Sequence, residues 1–240
     1  MSRQSVVQFY NSESTVYSQK RYEGRVLTYV QYFFRRRCNL LFRILDRVIS
    51  DQKGLTLIDI GCADGIVTRK IDERFPGTFS LLTGVDISPL MIEKARRLEY
   101  DSRISFFLKD TTPDMFYDIA LGLGYVSGAI LENEIMFAKK HLVYQGYYIC
   151  SLTAKNSLHA RFKLKNAPYR ADYRSYDEYR SMLLAHFDIL AEIPYGLFIP
   201  KLWALPVIGR LLQPFFEIIC AHIVPNLFHE KIYLLKLKNR

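Results

Sequence analysis

The sequence predicts one α/β domain built on a mostly parallel sheet, and three stretches predict it. The first, Leu57 to Gly65, reads Leu-Ile-Asp-Ile-Gly-Cys-Ala-Asp-Gly; Leu55, Leu57, Ile58 and Ile60 form an apolar run behind Lys53-Gly54, and Ile66, Val67 and Ile71 then recur at helical spacing. The second, Ser80 to Ile87, is an apolar strand that ends on Asp86, and the third, Ile104 to Asp110, again ends a strand with an acid. A buried strand running into a small-residue turn and a helix, followed by two strands that end in acids, places a turn and two carboxylates along one edge of a sheet.

Gly61 and Gly65 permit backbone dihedrals and close approaches that a larger side chain blocks, and Ala63 between them is small enough for a ligand to lie against the chain. The helix start leaves N–H groups pointing toward that ligand, although small residues at such a turn also serve tight packing. An acid at the end of the second strand is placed to accept both hydroxyls of a ribose, so Asp86 reads as a ribose ligand, with a helix N-cap as its bland alternative.

These residues resemble the class I (Rossmann-like) S-adenosylmethionine-dependent methyltransferases, of the small-molecule type. The resemblance rests on Asp59-Ile60-Gly61-Cys62-Ala63-Asp64-Gly65, on Gly84-Val85-Asp86-Ile87-Ser88 and on Lys109-Asp110, and continues with Tyr117-Asp118-Ile119-Ala120-Leu121 and with Leu142 to Ser151 as fourth and fifth strands. It covers roughly residues 40 to 155, and its specificity lies in the order and spacing of the motifs. A nicotinamide dehydrogenase shares the strand, turn and acid but usually shows Gly-x-Gly-x-x-Gly, whereas this turn is Gly-x-Ala-x-Gly. The resemblance implies a three-layer methyltransferase sandwich, a seven-stranded, mostly parallel sheet with an antiparallel last strand that the family pairs as a hairpin with the strand before it. Here about thirty-five residues separate the two, so the chain divides into a helical cap over residues 1–50, a core over 51–195 and 230–240, and a helical insertion over 196–229.

The chain in order supports that division. Its 240 residues suit one α/β domain with additions. Lys and Arg outnumber Asp and Glu by 33 to 24, a net charge of +9 that favours anionic partners or surfaces without naming one. Cys38, Cys62, Cys150 and Cys220 are far apart and form no Cys-x-x-Cys pair, which reads as reduced thiols in a cytoplasmic protein, with neither zinc nor disulfides expected. Met1 to Gln19 lacks the apolar core of a signal peptide. Tyr10, Tyr17, Tyr22, Tyr29 and Tyr32 lead into Phe33-Phe34-Arg35-Arg36-Arg37, and Leu40, Leu41, Ile44, Leu45 and Val48 then mark a helix over about 26–49. In methyltransferases that look like this one the segment before the first motif folds over the cofactor. Tyr17 to Arg37 therefore reads as a cap, with Tyr22 and one arginine reaching the cofactor's carboxylate, against the plainer reading of core aromatics and a solvated basic face.

Ser88 and Pro89 start the next helix, with Met91, Ile92, Ala95 and Leu98 on its buried face. After the strand Tyr117 to Leu123, Gly122-Leu123-Gly124-Tyr125-Val126-Ser127-Gly128 reads as a glycine-rich loop at the carboxyl end of the sheet, facing the transferred methyl group. It lacks the Asn/Asp-Pro-Pro-Tyr usual in methyltransferases of nucleobase amines, and the densest basic run is only Arg35-Arg36-Arg37, so a nucleic-acid partner is disfavoured. A helix over Glu132 to His141 and the fifth strand follow. A basic connection from Lys155 to Arg174 then carries His159, Arg161, Lys163, Lys165 and Arg170, and a helix over Tyr176 to Ala185 leads to strands over Phe187 to Ile193 and Lys231 to Leu237.

Gly196 to His229 is the most individual part of the chain. Phe198, Trp203, Phe215 and Phe216 stand among Leu, Ile and Val, broken by Pro200, Pro206, Pro214 and Pro225. Lys201, Arg210 and Glu217 cut it into pieces below the roughly twenty apolar residues a membrane span needs. It reads as one or two short helices, over 202–211 and 214–222, lying over the mouth of the site. Four roles stay open: a hydrophobic lid for an apolar or lipid-linked substrate, contact with a membrane surface that would make the protein peripheral, a homodimer interface, or core packing.

The resemblance implies cofactor roles for ten residues. Asp59, Gly61, Ala63 and Gly65 fall to the methionine part of S-adenosylmethionine, Asp86 to the ribose, Ile87 to packing on adenine, Asp110 and Thr111 to the adenine amino group, and Leu121 and Gly122 to the sulfonium region. Tyr125 and His159 are the candidate bases, although Tyr125 also fits stacking on the cofactor and His159 a solvated linker position. No histidine spacing suggests a metal ligand set. The expected function is transfer of the sulfonium methyl to a small-molecule or lipid-linked acceptor by in-line displacement, leaving S-adenosylhomocysteine. Two other readings remain open: methylation of a protein or nucleic acid, and a binding protein that keeps the fold and pocket without turnover.

Overall fold

The structure, a computed structural model, describes residues 3–14, 16–23, 28–97, 102–126, 131–162, 173–199 and 201–238. Of the residues singled out above, Leu98, Ser127, Gly128, Lys163, Lys165, Arg170 and Pro200 lie outside them, as does the side chain of Tyr125.

Helices α1 (Arg3–Glu13) and α2 (Tyr17–Arg21) lead into α3 (Tyr29–Ile49). The last starts where a reciprocal cap allows: Gln31 N donates to Thr28 Oγ1 at 3.3 Å while Thr28 N donates to Gln31 Oε1 at 3.1 Å, satisfying donors that a helix start leaves open. Strands β1 (Leu55–Ile60), β2 (Phe79–Asp86), β3 (Ile104–Leu108), β4 (Tyr117–Val126), β5 (Leu142–Thr153), β6 (Phe187–Tyr195) and β7 (Glu230–Leu237) form one sheet in the order β3-β2-β1-β4-β5-β7-β6. The first five are parallel, and β7 lies between β5 and β6, antiparallel to both. The seven strands and the antiparallel last strand are as the sequence predicts.

Alternation along the strands supplies two cores, one per face. Leu57, Leu121 and Ile149 are buried with Leu41 and Leu45 of α3 on one side. Ile58, Ile60, Ala120 and Tyr148 are buried on the other, with Ile135 of α6 (Leu131–His141) and Tyr179 of α8 (Tyr176–Leu184). Helices α4 (Ile66–Arg74) and α5 (Pro89–Arg97) follow β1 and β2, which makes the three layers expected.

Two local expectations are corrected. Gly122 to Val126 is not loop but the end of β4: Gly122 pairs with Cys150 and Leu123 with Ser151, the register then shifts, and Val126 pairs with Leu152. Gly124, at φ +70°, lies inside the irregularity, and its backbone freedom lets the strand absorb the shift instead of ending. The connection after β5 contains a short helix, α7 (Leu158–Phe162).

The stretch 196–229 holds a 3-10 turn, Leu202–Ala204, and one continuous helix, α9 (Pro206–Ile223), rather than two helices parted at Pro214. Side chains on both sides of the proline clamp the helix. Gln213 Nε2 donates to Leu197 O, and Glu217 Oε1 accepts from Gly196 N at 3.1 Å and Leu197 N at 3.2 Å, so the turns flanking Pro214 are fixed to the same backbone. α9 packs against α3 and the end of β6.

Candidate active site

The turn after β1 is shaped by left-handed backbone at Gly61 (φ +79°), Ala63 (φ +49°) and Gly65 (φ +74°). Gly61 N and Cys62 N both donate to Val85 O, at 2.7 and 3.1 Å, which ties the turn to the end of β2. A side chain at Gly65 would fall within 2.7 Å of the Phe106 ring, so this glycine is required by packing as well as by φ. Ala63 is the strained member, since an alanine at positive φ persists only where its surroundings hold it.

Asp86 supplies that hold. Its Oδ2 accepts from Ala63 N at 2.9 Å and its Oδ1 from Ser88 N at 2.8 Å. Burial raises its pKa, against the lowering effect of these backbone bonds. Each carboxylate oxygen still has a further lone pair, so the acid can brace the turn and also receive a diol.

A cleft with about 570 Å³ of empty space, counted out to its mouth, opens at the carboxyl ends of β1, β2 and β4. Of the ten residues assigned to the cofactor, Gly61, Ala63, Asp86 and Ile87 line it, together with Ile60, Leu123, Gly124, Lys109, Glu134, Tyr10 and Tyr17. Asp59 stands behind it, accepting from Thr68 Oγ1 at 2.7 Å, and burial lifts its carboxyl to about 6. Leu121 and Gly122 are buried within β4, and Leu123 and Gly124 occupy the position expected of them. Asp110 and Thr111 are exposed on the 3-10 turn Lys109–Thr111 beside the cleft.

Sequence reasoning missed three parts of this wall. Lys109 Nζ donates to both oxygens of Glu134 at 2.5 Å, a half-buried ion pair formed across 25 positions that no motif signals. Tyr10 and Tyr17 come from the cap, whose tyrosines were visible as a group, but nothing in the sequence selects these two. Asp64 fastens the cap down: its Oδ2 accepts from Ser18 Oγ at 2.5 Å and from Lys94 Nζ at 2.9 Å, while Lys94 also donates to Ser14 O at 3.0 Å. Ser88 Oγ adds a bond to Asn11 Oδ1 at 2.6 Å. Tyr22 is buried edge-on against Phe34 and does not line the cleft.

Beyond Gly124 lies a cluster of packed aromatic side chains. Arg37 fills the space a side chain at Gly124 would need, donating to Glu230 Oε1 at 2.8 Å and to Tyr195 Oη at 3.0 Å. Burial alone would lower its pKa, but Glu230 and Tyr195 hold it well above the ordinary value. Phe33 stacks on His229 at 4.3 Å, and His229 on His159 at 3.7 Å. His159 in turn packs on Tyr29 and Phe198 at 5.9 and 5.6 Å. His159 is thus half-buried in an aromatic group rather than solvated in a linker, and it does not line the cleft. Burial, with His159 and Arg37 nearby, keeps His229 well below its ordinary pKa, hence neutral at pH 7.

Residues 57–133, which carry the turn, Asp86 and Lys109, match the family model described as a methyltransferase domain. Over this segment the chain matches a methyltransferase domain. Curated relatives are methyltransferases as well: the malonyl-[acyl-carrier protein] O-methyltransferase of Anoxybacillus flavithermus is 30% identical over 42% of this chain and 37% of its own length. The juvenile hormone acid O-methyltransferase of Bombyx mori is 36% identical over 30% of this chain and 26% of its own. The chain thus spans less than half the length of the curated relatives it matches. Among solved structures, the magnesium protoporphyrin IX methyltransferase of Synechocystis PCC 6803 with bound SAH superposes with a TM-score of 0.69 over 99% of this chain and all of that one, at 15% identity. The N-methyltransferase NodS of Bradyrhizobium japonicum covers 86% of this chain with a TM-score of 0.57. These likenesses show that the methyltransferase fold extends over the whole chain.

Proposed function

We propose that this methyltransferase domain is catalytically active, takes S-adenosylmethionine in the cleft at the ends of β1, β2 and β4, and methylates an oxygen of a small acceptor with an apolar body. The observation that carries the reading is Asp86. Its carboxylate braces the Gly61–Gly65 turn and keeps acceptor capacity for a ribose diol, while Ile60, Ile87 and Leu123 offer apolar walls and Gly61 and Gly124 allow close approach. The residues present therefore fit an adenosyl ligand with a charged amino-acid tail. When bound, that group supplies a methyl already activated by its sulfonium.

What remains for the chain is to position and to exclude water. Tyr10 and Tyr17 cover the cleft, held there by the Asp64, Ser18 and Lys94 bonds. The acceptor approaches past Gly124, the side on which the Arg37–Glu230 pair and the aromatic cluster of Phe33, Tyr29, His159 and Phe198 are packed behind the cleft. His159 is packed in that cluster, which leaves Tyr125, at the end of β4, as the remaining candidate base. An acceptor that already carries a lone pair, as a carboxylate does, needs no base; the acid named in the Bombyx mori relative is of that kind.

Calorimetric titration with S-adenosylmethionine and S-adenosylhomocysteine tests the assignment. Micromolar binding by the wild type, lost in Asp86→Ala while thermal unfolding stays cooperative, is the expected result. Heatless titrations of the intact protein by both ligands would overturn it.

A further inference from the structure

Helix α9 is built inside out. The positions it buries are Gly209, Gln213 and Glu217, one glycine and two polar residues spaced four apart; Gly209 lies against the Trp203 ring, and the side chains of Gln213 and Glu217 bond to the 196–197 backbone. Its outer half carries Val207 at 71% exposure, Leu211 at 70%, Phe215 at 60%, Ile218 at 64% and Ile223 at 71%, with Ile208, Leu212, Phe216 and Ile219 between them. At 100° per residue these nine side chains cover about half the circumference along a helix of about 27 Å. An apolar surface of that length exposed to water marks a contact with something else.

The surrounding charge says what that is. In 196–229 the acid present is Glu217, which is buried against Arg36, whereas Lys201, ahead of the helix, and Arg210, on the flank of the apolar arc, are exposed. A second copy seated on α9 would find no exposed carboxylate of the segment to meet these cations. An anionic bilayer surface meets them with phosphates while its acyl boundary takes the apolar side chains. Among the described residues no helix is long and apolar enough to cross a membrane, so α9 would lie in the interface plane.

We propose that α9 seats this protein on anionic lipid bilayers, with its apolar face in the headgroup boundary and Lys201 and Arg210 on lipid phosphates. The contact does not depend on the methyl-transfer reading. It also brings the aromatic cluster beside Trp203 and Tyr29 next to the lipid, where an apolar acceptor resides.

The test is cosedimentation of the full chain with phosphatidylcholine vesicles and with vesicles that also contain phosphatidylglycerol, paired with sedimentation equilibrium in the absence of lipid. The wild type should pellet with the anionic vesicles, and Lys201→Glu/Arg210→Glu should lower the partition by about tenfold or more. Leu211→Glu/Phe215→Glu/Ile218→Glu should abolish it. These positions are solvent-exposed, and the emission of Trp203, the one tryptophan, reports an intact fold. Wild type left in the supernatant by both vesicles overturns the proposal. So does a lipid-free dimer that the triple variant dissolves without any vesicle binding, which would assign the face to a second copy.

Discussion

Asp59 ends β1 with its carboxylate out of water and Thr68 Oγ1 donating to it at 2.7 Å. Burial raises the acid to about 6, partly offset by the Thr68 bond and reinforced by Asp86 nearby. With the folded pKa above an unfolded value of about 3.9, the folded state binds the proton more tightly, so this group's contribution is fully present below pH 4 and is lost as pH rises through 6. About two pKa units correspond to at most about 3 kcal/mol. The difference in unfolding free energy between Asp59→Asn and wild type should therefore shift in favour of the variant by up to that amount between pH 4 and pH 8, measured by denaturant titration at each pH; parallel profiles would refute it. At this scale the sequence was readable where a residue's role is local. Gly61, Ala63 and Asp86 sit within one turn and one strand end, and the order of small and acidic residues suffices to find them. Glu134 and Asp64 escaped because each acts through a cation contributed by a remote element, and pairing of that kind leaves no spacing to read.

The cap is the element on which access to the cleft depends. α1 and α2 are short, and what holds them is the set of bonds to Asp64, Lys94 and Ser88. Helices of this length are marginal without tertiary partners. Asp64→Ala removes the acceptor shared by Ser18 and Lys94, so trypsin should cut after Lys20 or Arg21 several-fold faster than in the wild type while the sheet fragment survives; equal cleavage rates would show that the cap is held otherwise. Elements that carry their own start signals were legible, as Ser88-Pro89 before α5 shows. α9 was misread because Pro214 breaks a helix only when nothing else restrains it, and the restraint comes from Gly196 and Leu197 on another element. β4 was misread at its end for a related reason: its pairing with β5 outlasts the glycines that suggest a loop.

At the scale of the whole molecule, Arg37 is the tie between the cap and the far side of the sheet. It reaches from α3 to Tyr195 at the end of β6 and Glu230 at the start of β7, and lies over the faces of Phe33 and Phe34. Removing one member of a buried ion pair leaves the other charged and desolvated, which costs about 3–5 kcal/mol. Arg37→Met should lower the unfolding free energy by about that much in urea titration, and a loss below 1 kcal/mol would mean that Thr153 and Tyr195 satisfy Glu230 without it. The sequence showed three arginines in a row here but not which one turns inward, since all three share one local context.

The position of β7 between β5 and β6 places Gly196 and His229 side by side, and His229 N donates to Gly196 O at 3.0 Å. Everything from 197 to 228 therefore leaves the sheet and returns to it through one closed neck. Loop-closure entropy grows only slowly with the length beyond such a neck. An appendage tethered this way can vary in length without displacing a strand, while Phe198 and Trp203, packed on Tyr29 just beyond the neck, keep its base joined to the core.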